Sequence, residues 1–159
     1  MQVTHEYAVA PNALLDVLTD AAFLAARGAK FGAAGDAVVV RDGDAVTITT
    51  PRQLPLDQVP SAFRGFVGNG TVVQTDELAM KGEGVSGTFS IDAGGAPVKI
   101  WGTHEIAGTG EGSTYTIIAT IKASVPFIGG AIESQVAGYL KKLIVEEQDF
   151  AADWISSHS

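Results

Sequence analysis

Three histidines and one glutamate are the side chains whose setting could support proton transfer. His5 and His104 lie in alternating runs, each on the same face as apolar neighbours: Val3 and Tyr7 for His5, Ile100 and Ile106 for His104. An imidazole there can face a cavity and act as acid or base near neutral pH, or it can be a satisfied core or rim histidine. His158 is in the tail. Glu147 falls in the last apolar-periodic stretch. With roughly 3.6 residues per helical turn, Val136, Leu143, Phe150 and Trp154 define the centre of an apolar stripe. Glu147 lies near that centre, one turn beyond Leu143, and Glu146 lies on its edge. A carboxylate facing a core is costly unless it is hydrogen-bonded, paired or neutralised. Glu147 is therefore a polar anchor or raised-pKa acid at one end of a cavity, or an ion-pair partner of a strand Lys or Arg, or exposed where a helix overhangs a sheet.

Other chemistries lack their patterns. Gly82-Glu83-Gly84-Val85-Ser86-Gly87 matches a nucleotide fingerprint in letters only, because an alternating strand pattern follows where a helix N-terminus should hold the phosphates. Gly108 to Gly112 reads as a turn. No G-x-S-x-G elbow is present, and Ser86 lies within a strand pattern. Neither His5-Glu6 nor His104-Glu105 continues as H-E-x-x-H, and adjacent strand residues face opposite sides, so no metal site is expected. There is no cysteine, which removes disulfides, thiolate catalysis and cysteine-held metal clusters. No cofactor is expected.

The formal net charge of -8, with ten scattered Lys and Arg, argues against nucleic acid and anionic membrane surfaces, which need clustered positive charge. No uncharged stretch approaches the ~20 apolar residues that span a bilayer, so stable membrane insertion is not expected. The N-terminus lacks a basic region followed by an apolar run, and the expected location is the cytoplasm. The 159 residues are expected to form a single domain, with 156–159 as a frayed tail.

Several elements must position these side chains. Val3 to Val9 alternates as a half-buried strand. Pro11 opens a short helix through Leu18, and Asp20 caps a second, Ala21 to Arg27, that Gly28 can end. Val38–Val40 and Val46–Thr50 flank an Asp-Gly turn as a hairpin. Pro51 to Gly70 reads as irregular, with one or two helical turns at Ser61 to Val67 presenting Phe63, Phe66 and Val67. Strands follow at Thr71–Met80, Val85–Asp92, Val98–Ala107 and Ser113–Ala123, and turns this short make them antiparallel. From about Gly129 to Ile155 the apolar spacing becomes helical. The fold class is α+β, a curved antiparallel sheet against one long C-terminal helix.

This order resembles the helix-grip fold of the START-like superfamily of lipid-transfer, polyketide cyclase/dehydratase and plant allergen-type proteins. Tyr7 to Pro11, Gly84 to Phe89, Ala96-Pro97, Val125 to Glu133 and Glu146 to Trp154 resemble a bacterial family of unknown function within it. The run Pro126-Phe127-Ile128-Gly129-Gly130-Ala131-Ile132-Glu133 is the most specific part. The superfamily implies a cavity between sheet and helix for apolar small molecules; the family implies no catalytic residues.

Three functional readings follow. The first is binding, transport or sequestration of a small hydrophobic or amphipathic ligand, lined by Phe89, Ile100, Ile117, Val136, Leu140, Leu143 and Glu147, and gated by Phe63, Phe66 and the Gly94-Gly95 loop. The second is a cyclase, dehydratase or isomerase in the same cavity, with His104 or Glu147 moving protons. The third is a non-enzymatic interaction protein with a filled core, a homodimer being one form of it.

Overall fold

The computed structural model describes residues 1–59 and 61–159, without the side chains of Ala62 and Phe63. The expected gate residue Phe63 thus lies outside the described side chains. The chain runs β1 (Gln2–Tyr7), α1 (Pro11–Leu18), α2 (Ala21–Phe31), β2 (Val38–Asp42), β3 (Ala45–Gln53), α3 (Ser61–Val67), β4 (Thr71–Lys81), β5 (Gly84–Asp92), β6 (Val98–Thr109), β7 (Gly112–Ala123) and α4 (Gly129–Ser157). Seven strands form one antiparallel curved sheet in the order β1-β7-β6-β5-β4-β3-β2. β2 to β7 are a plain meander, and β1 adds to the free edge of β7 with Val3 opposite Ile117.

The two early helices carry the expected start signals. Pro11 occupies the first turn of α1, and the Asp20 carboxylate accepts the Phe23 N–H at 2.9 Å. Two boundaries differ from expectation. α2 does not stop at Gly28 but continues to Phe31, and Gly32, at φ 102°, ends it. Glycine lowers helix propensity without forbidding the helix, and here Phe31 packs edge-on against Phe150 at 5.7 Å between centroids. β3 does not stop at Thr50 but runs through Pro51 to Gln53. Pro51 sits beyond the last β2 pair, Val38 with Thr49, and its carbonyl accepts from Ala34 N–H at 3.1 Å, on the side away from β4. A proline there removes no ladder bond. β3 therefore keeps alternating, and Val46, Ile48, Thr50 and Arg52 all point inward.

α4 is 29 residues, about 43 Å at 1.5 Å per residue, long enough to cross the whole sheet. Its buried side is Ile132, Leu140, Ile144, Gln148 and Ala151. That is one position round from the expected stripe: Val136, Leu143, Phe150 and Trp154 are only half-buried, on its flank. Phe150 and Trp154 instead stack beside Phe23 of α2. The helix packs chiefly on β7, β1, α2 and α1. Leu14, Leu15, Leu18, Phe23 and Leu24 complete the core with Val46, Leu78, Val85 and Ile106 of the sheet. Among the described residues, the inner faces of β3 to β6 alongside the N-terminal half of α4 border a space rather than packing closely on the helix.

Candidate functional site

A cavity of about 550 Å³ fills that space. It lies within the ~300–1,000 Å³ range of small-molecule sites. Its wall is mainly apolar. Phe89, Ile100 and Ile117 line the sheet side, and Val136, Leu140 and Leu143 line the α4 side. Small residues make room. Gly102 lies where a Cβ would strike the Ile118 carbonyl and the Phe89 ring, so its lack of a side chain lets Phe89 come close to β6. Leu54, Pro55 and Phe66, and Ala93, Ala96 and Pro97, also line the cavity, and we take the end with the exposed Phe66 as its mouth. Gly94, at φ 66°, turns the loop that carries Ala93, Ala96 and Pro97.

The deep end is polar. Glu147 meets Arg52 in a two-pronged pair: Nη1 donates to Oε1 at 2.5 Å and Nη2 to Oε2 at 3.2 Å. Of the expected roles for Glu147, the ion pair with a strand arginine is the one its geometry matches. Each carboxylate oxygen accepts one hydrogen bond from the Arg52 guanidinium. Burial alone would lower the Arg52 pKa, but the charge and hydrogen bonds of Glu147 outweigh it and hold it above its ordinary value.

Beside this pair, His104 bridges two strands. Its Nε2 lies 2.8 Å from Asp76 Oδ1, and its Nδ1 lies 2.9 Å from Tyr115 Oη. Gly87 sits between His104 and Leu78 in the register, so no side chain on β5 blocks the reach from β6 to β4. Burial pushes the Asp76 carboxyl up, but hydrogen bonds from His104 and Gln74, with the charges of His104 and Arg27, bring it below its ordinary value. Asp76 is thus ionised and accepts only, so Nε2 carries a proton. Burial, reinforced by Asp76, holds the Tyr115 pKa well above its ordinary value, which keeps its hydroxyl protonated. Tyr115, His104 and Asp76 thus form one hydrogen-bonded chain, with Gln74 Nε2 donating to both Asp76 oxygens at 3.0 and 2.9 Å.

Arg27, from the middle of α2, is the remaining charge on this wall. Burial lowers its pKa, against the pull of Glu147. His5 is elsewhere. It pairs with Asp149 at 3.2 Å on the β1 edge, under the C-terminal half of α4, and forms no part of the cavity wall. Its expected role as a cavity acid or base is therefore not supported by position. Sequence reasoning missed four polar wall residues. Asp76 was signalled by a carboxylate between Val72 and Leu78 on the inward face of β4. Tyr115 alternates with Ile117 and Ala119 in β7, a pattern that puts it on the inward face without marking a role. Arg52 was hidden by the early end assigned to β3, and Arg27, at the end of the helix read from sequence, carried no signal of which way it faces.

Comparison with known proteins agrees with this architecture. Among solved structures, a Thermus thermophilus protein superposes with TM-score 0.62 at 15% identity, over 100% of this chain and 99% of its own. A START superfamily protein from Mycobacterium smegmatis gives 0.59 at 10% identity, over 98% and 97%. An aromatase/cyclase from a Streptomyces species gives 0.58 at 9% identity, over 96% and 90%. These likenesses show the fold, which is START-like. An uncharacterised protein of Mycobacterium tuberculosis is 38% identical over 65 residues, 40% of this chain. That match spans 37% of the relative's length. Residues 2–155 match the family described as protein of unknown function (DUF2505). The match covers nearly the whole chain, and the protein belongs to the DUF2505 family, with a START-like fold.

Proposed function

We propose that the protein binds a small hydrophobic or amphipathic molecule between the sheet and α4, in a transport or sequestering role. One observation carries this reading: a cavity of about 550 Å³, apolar along its length and polar at its deep end. Fold alone does not fix function, and the reading rests on that wall. A mainly apolar wall with a few converging polar groups is the usual composition of a ligand site. Gentle purification followed by native mass spectrometry and solvent extraction tests it. A consistent co-purifying amphiphile, or saturable uptake of the neutral dye Nile red, is expected. A protein that takes up neither would overturn the reading in favour of a non-enzymatic interaction protein.

A second reading has its own observation. The Tyr115–His104–Asp76 chain presents a phenol, backed by an imidazole and a carboxylate, on the cavity wall. Such a chain can pass a proton to or from a bound carbonyl or enol, as a cyclase, dehydratase or isomerase requires. One fold neighbour is an aromatase/cyclase. Turnover of an extracted ligand, lost in Tyr115→Phe with binding retained, is the result expected for an enzyme.

A further inference from the structure

The four charged residues on the deep wall are not equally satisfied. Glu147 has Arg52, held through two hydrogen bonds. Asp76 has His104 and two contacts from Gln74. Arg27 has neither kind of partner. Among the described residues its single side-chain hydrogen bond runs from Nη2 to Thr50 Oγ1 at 3.3 Å, and it joins no ion pair within 4.0 Å. Yet the guanidinium is deep enough for burial to disfavour its charge. The side chain nonetheless keeps some accessible surface, and it contributes to the cavity wall. Arginine stays charged under such conditions and offers five donors in a planar fork suited to a carboxylate.

We propose that Arg27 receives the carboxylate of a monoanionic amphiphile, whose apolar tail runs from the deep end along α4 toward the Phe66 mouth. This rests on the cavity-binding reading above and names the ligand class for it. The contacts favour a single carboxylate. Arg52 is taken by Glu147 through two hydrogen bonds and Asp76 accepts from His104 and Gln74, so among the described residues Arg27 is the guanidinium on this wall with no carboxylate within 4.0 Å. A dianionic phosphate head would place its second charge beside two carboxylates. A neutral head would leave the Arg27 fork only partly used. The direction of the tail follows from the wall. Leu140, Leu143 and Val136 continue outward from Glu147 on α4, and Ile117 and Ile100 face them from the sheet.

The test is competition against Nile red on the full chain, with lauric acid, lauryl alcohol and lauryl phosphate as probes. Wild-type protein is expected to bind the acid at least about tenfold more tightly than the alcohol, a difference of ~1.4 kcal/mol. The phosphate should bind more weakly than the acid. Arg27→Met is expected to abolish the preference for the acid while Nile red uptake persists. Arg27→Lys should retain the preference at reduced affinity, because a point charge replaces the fork. It serves as the reading should Arg27→Met fail to fold. Equal affinity for acid and alcohol in wild-type protein overturns the carboxylate assignment and leaves cavity binding standing. An acid preference that survives Arg27→Met overturns the role of Arg27. Absence of Nile red uptake overturns cavity binding itself, and this inference with it.

Discussion

Glu147 and Arg52 show how a costly pair is kept inside a protein. Their side chains are 15% and 9% exposed. Removing one partner strands the other's charge away from water, which costs roughly 3–5 kcal/mol in such settings, whereas replacing both by apolar residues is often neutral. Glu147→Ala should therefore lower urea-unfolding stability by about that amount. The double change Arg52→Met with Glu147→Leu should recover most of the loss, and a double-mutant cycle reads the coupling directly. Asp76 makes a different prediction, in pH. Its folded pKa lies below the ordinary value of 3.8. The unfolded state thus binds a proton more readily than the native state. The stability this contributes is full above the unfolded value and is lost as pH falls from there through the folded one. Urea midpoints measured across the acid range should show a steep loss in wild-type protein. Asp76→Asn should show a shallower acid limb and a lower plateau at neutral pH. Tyr115→Phe leaves His104 Nδ1 without its hydrogen-bond partner, a loss of about 1–3 kcal/mol where no water replaces it.

The elements were legible where a period of two or of 3.6 ran uninterrupted. The sheet order, the short helices and α4 follow from alternation, capping and apolar spacing, because backbone geometry forces those periods. Legibility failed where a residue with a strong local preference was overruled by its neighbours. Gly28 and Pro51 look like stops, yet the Phe31–Phe150 contact and an unpaired ladder position carry the helix and the strand past them. The β3 extension contains Arg52, so that half of the buried ion pair disappeared with it; Arg27 closes the shorter helix read from sequence, where nothing shows which way its side chain points. The one-position rotation of the α4 stripe has a related cause. Hydropathy alone cannot reveal that Gln148 would be buried, with Tyr7 Oη donating to its carbonyl at 3.1 Å. The β7–α4 junction supplies a test at this scale. Phe127 holds φ 68°, a left-handed conformation costing a residue with a side chain roughly 1–2 kcal/mol, and its side chain is fully exposed. Phe127→Gly should remove that strain without losing packing, offset in part by glycine's larger unfolded-state entropy. A net gain of about 0.5–1 kcal/mol in thermal unfolding is expected.

At the scale of the whole molecule, the sheet and helix are held apart where they could have packed. Dense packing of the Leu14–Phe23–Ile106 core sits at one end of α4, and an open cavity sits beside the other. Unfilled apolar space forfeits dispersion contacts, so a protein selected for stability alone would close it. This sets up a trade between stability and binding. Ile100 is half-buried on the sheet wall, facing α4 across the cavity. Ile100→Trp places a large ring in that space without disturbing the core at the far end. The apo protein should then unfold at a higher temperature than wild type, since cavity-filling substitutions commonly contribute about 0.5–2 kcal/mol. The gain should reverse when ligand is present. A ligand at a hundred times its Kd adds about 2.7 kcal/mol to a competent wild-type protein and little to one whose site is occupied by its own side chain. Thermal unfolding of both proteins with and without Nile red should therefore cross over: the variant more stable when apo, the wild type more stable when loaded. A variant that is stabilised and still binds as well as wild type would show that the space facing Ile100 is not where the ligand sits.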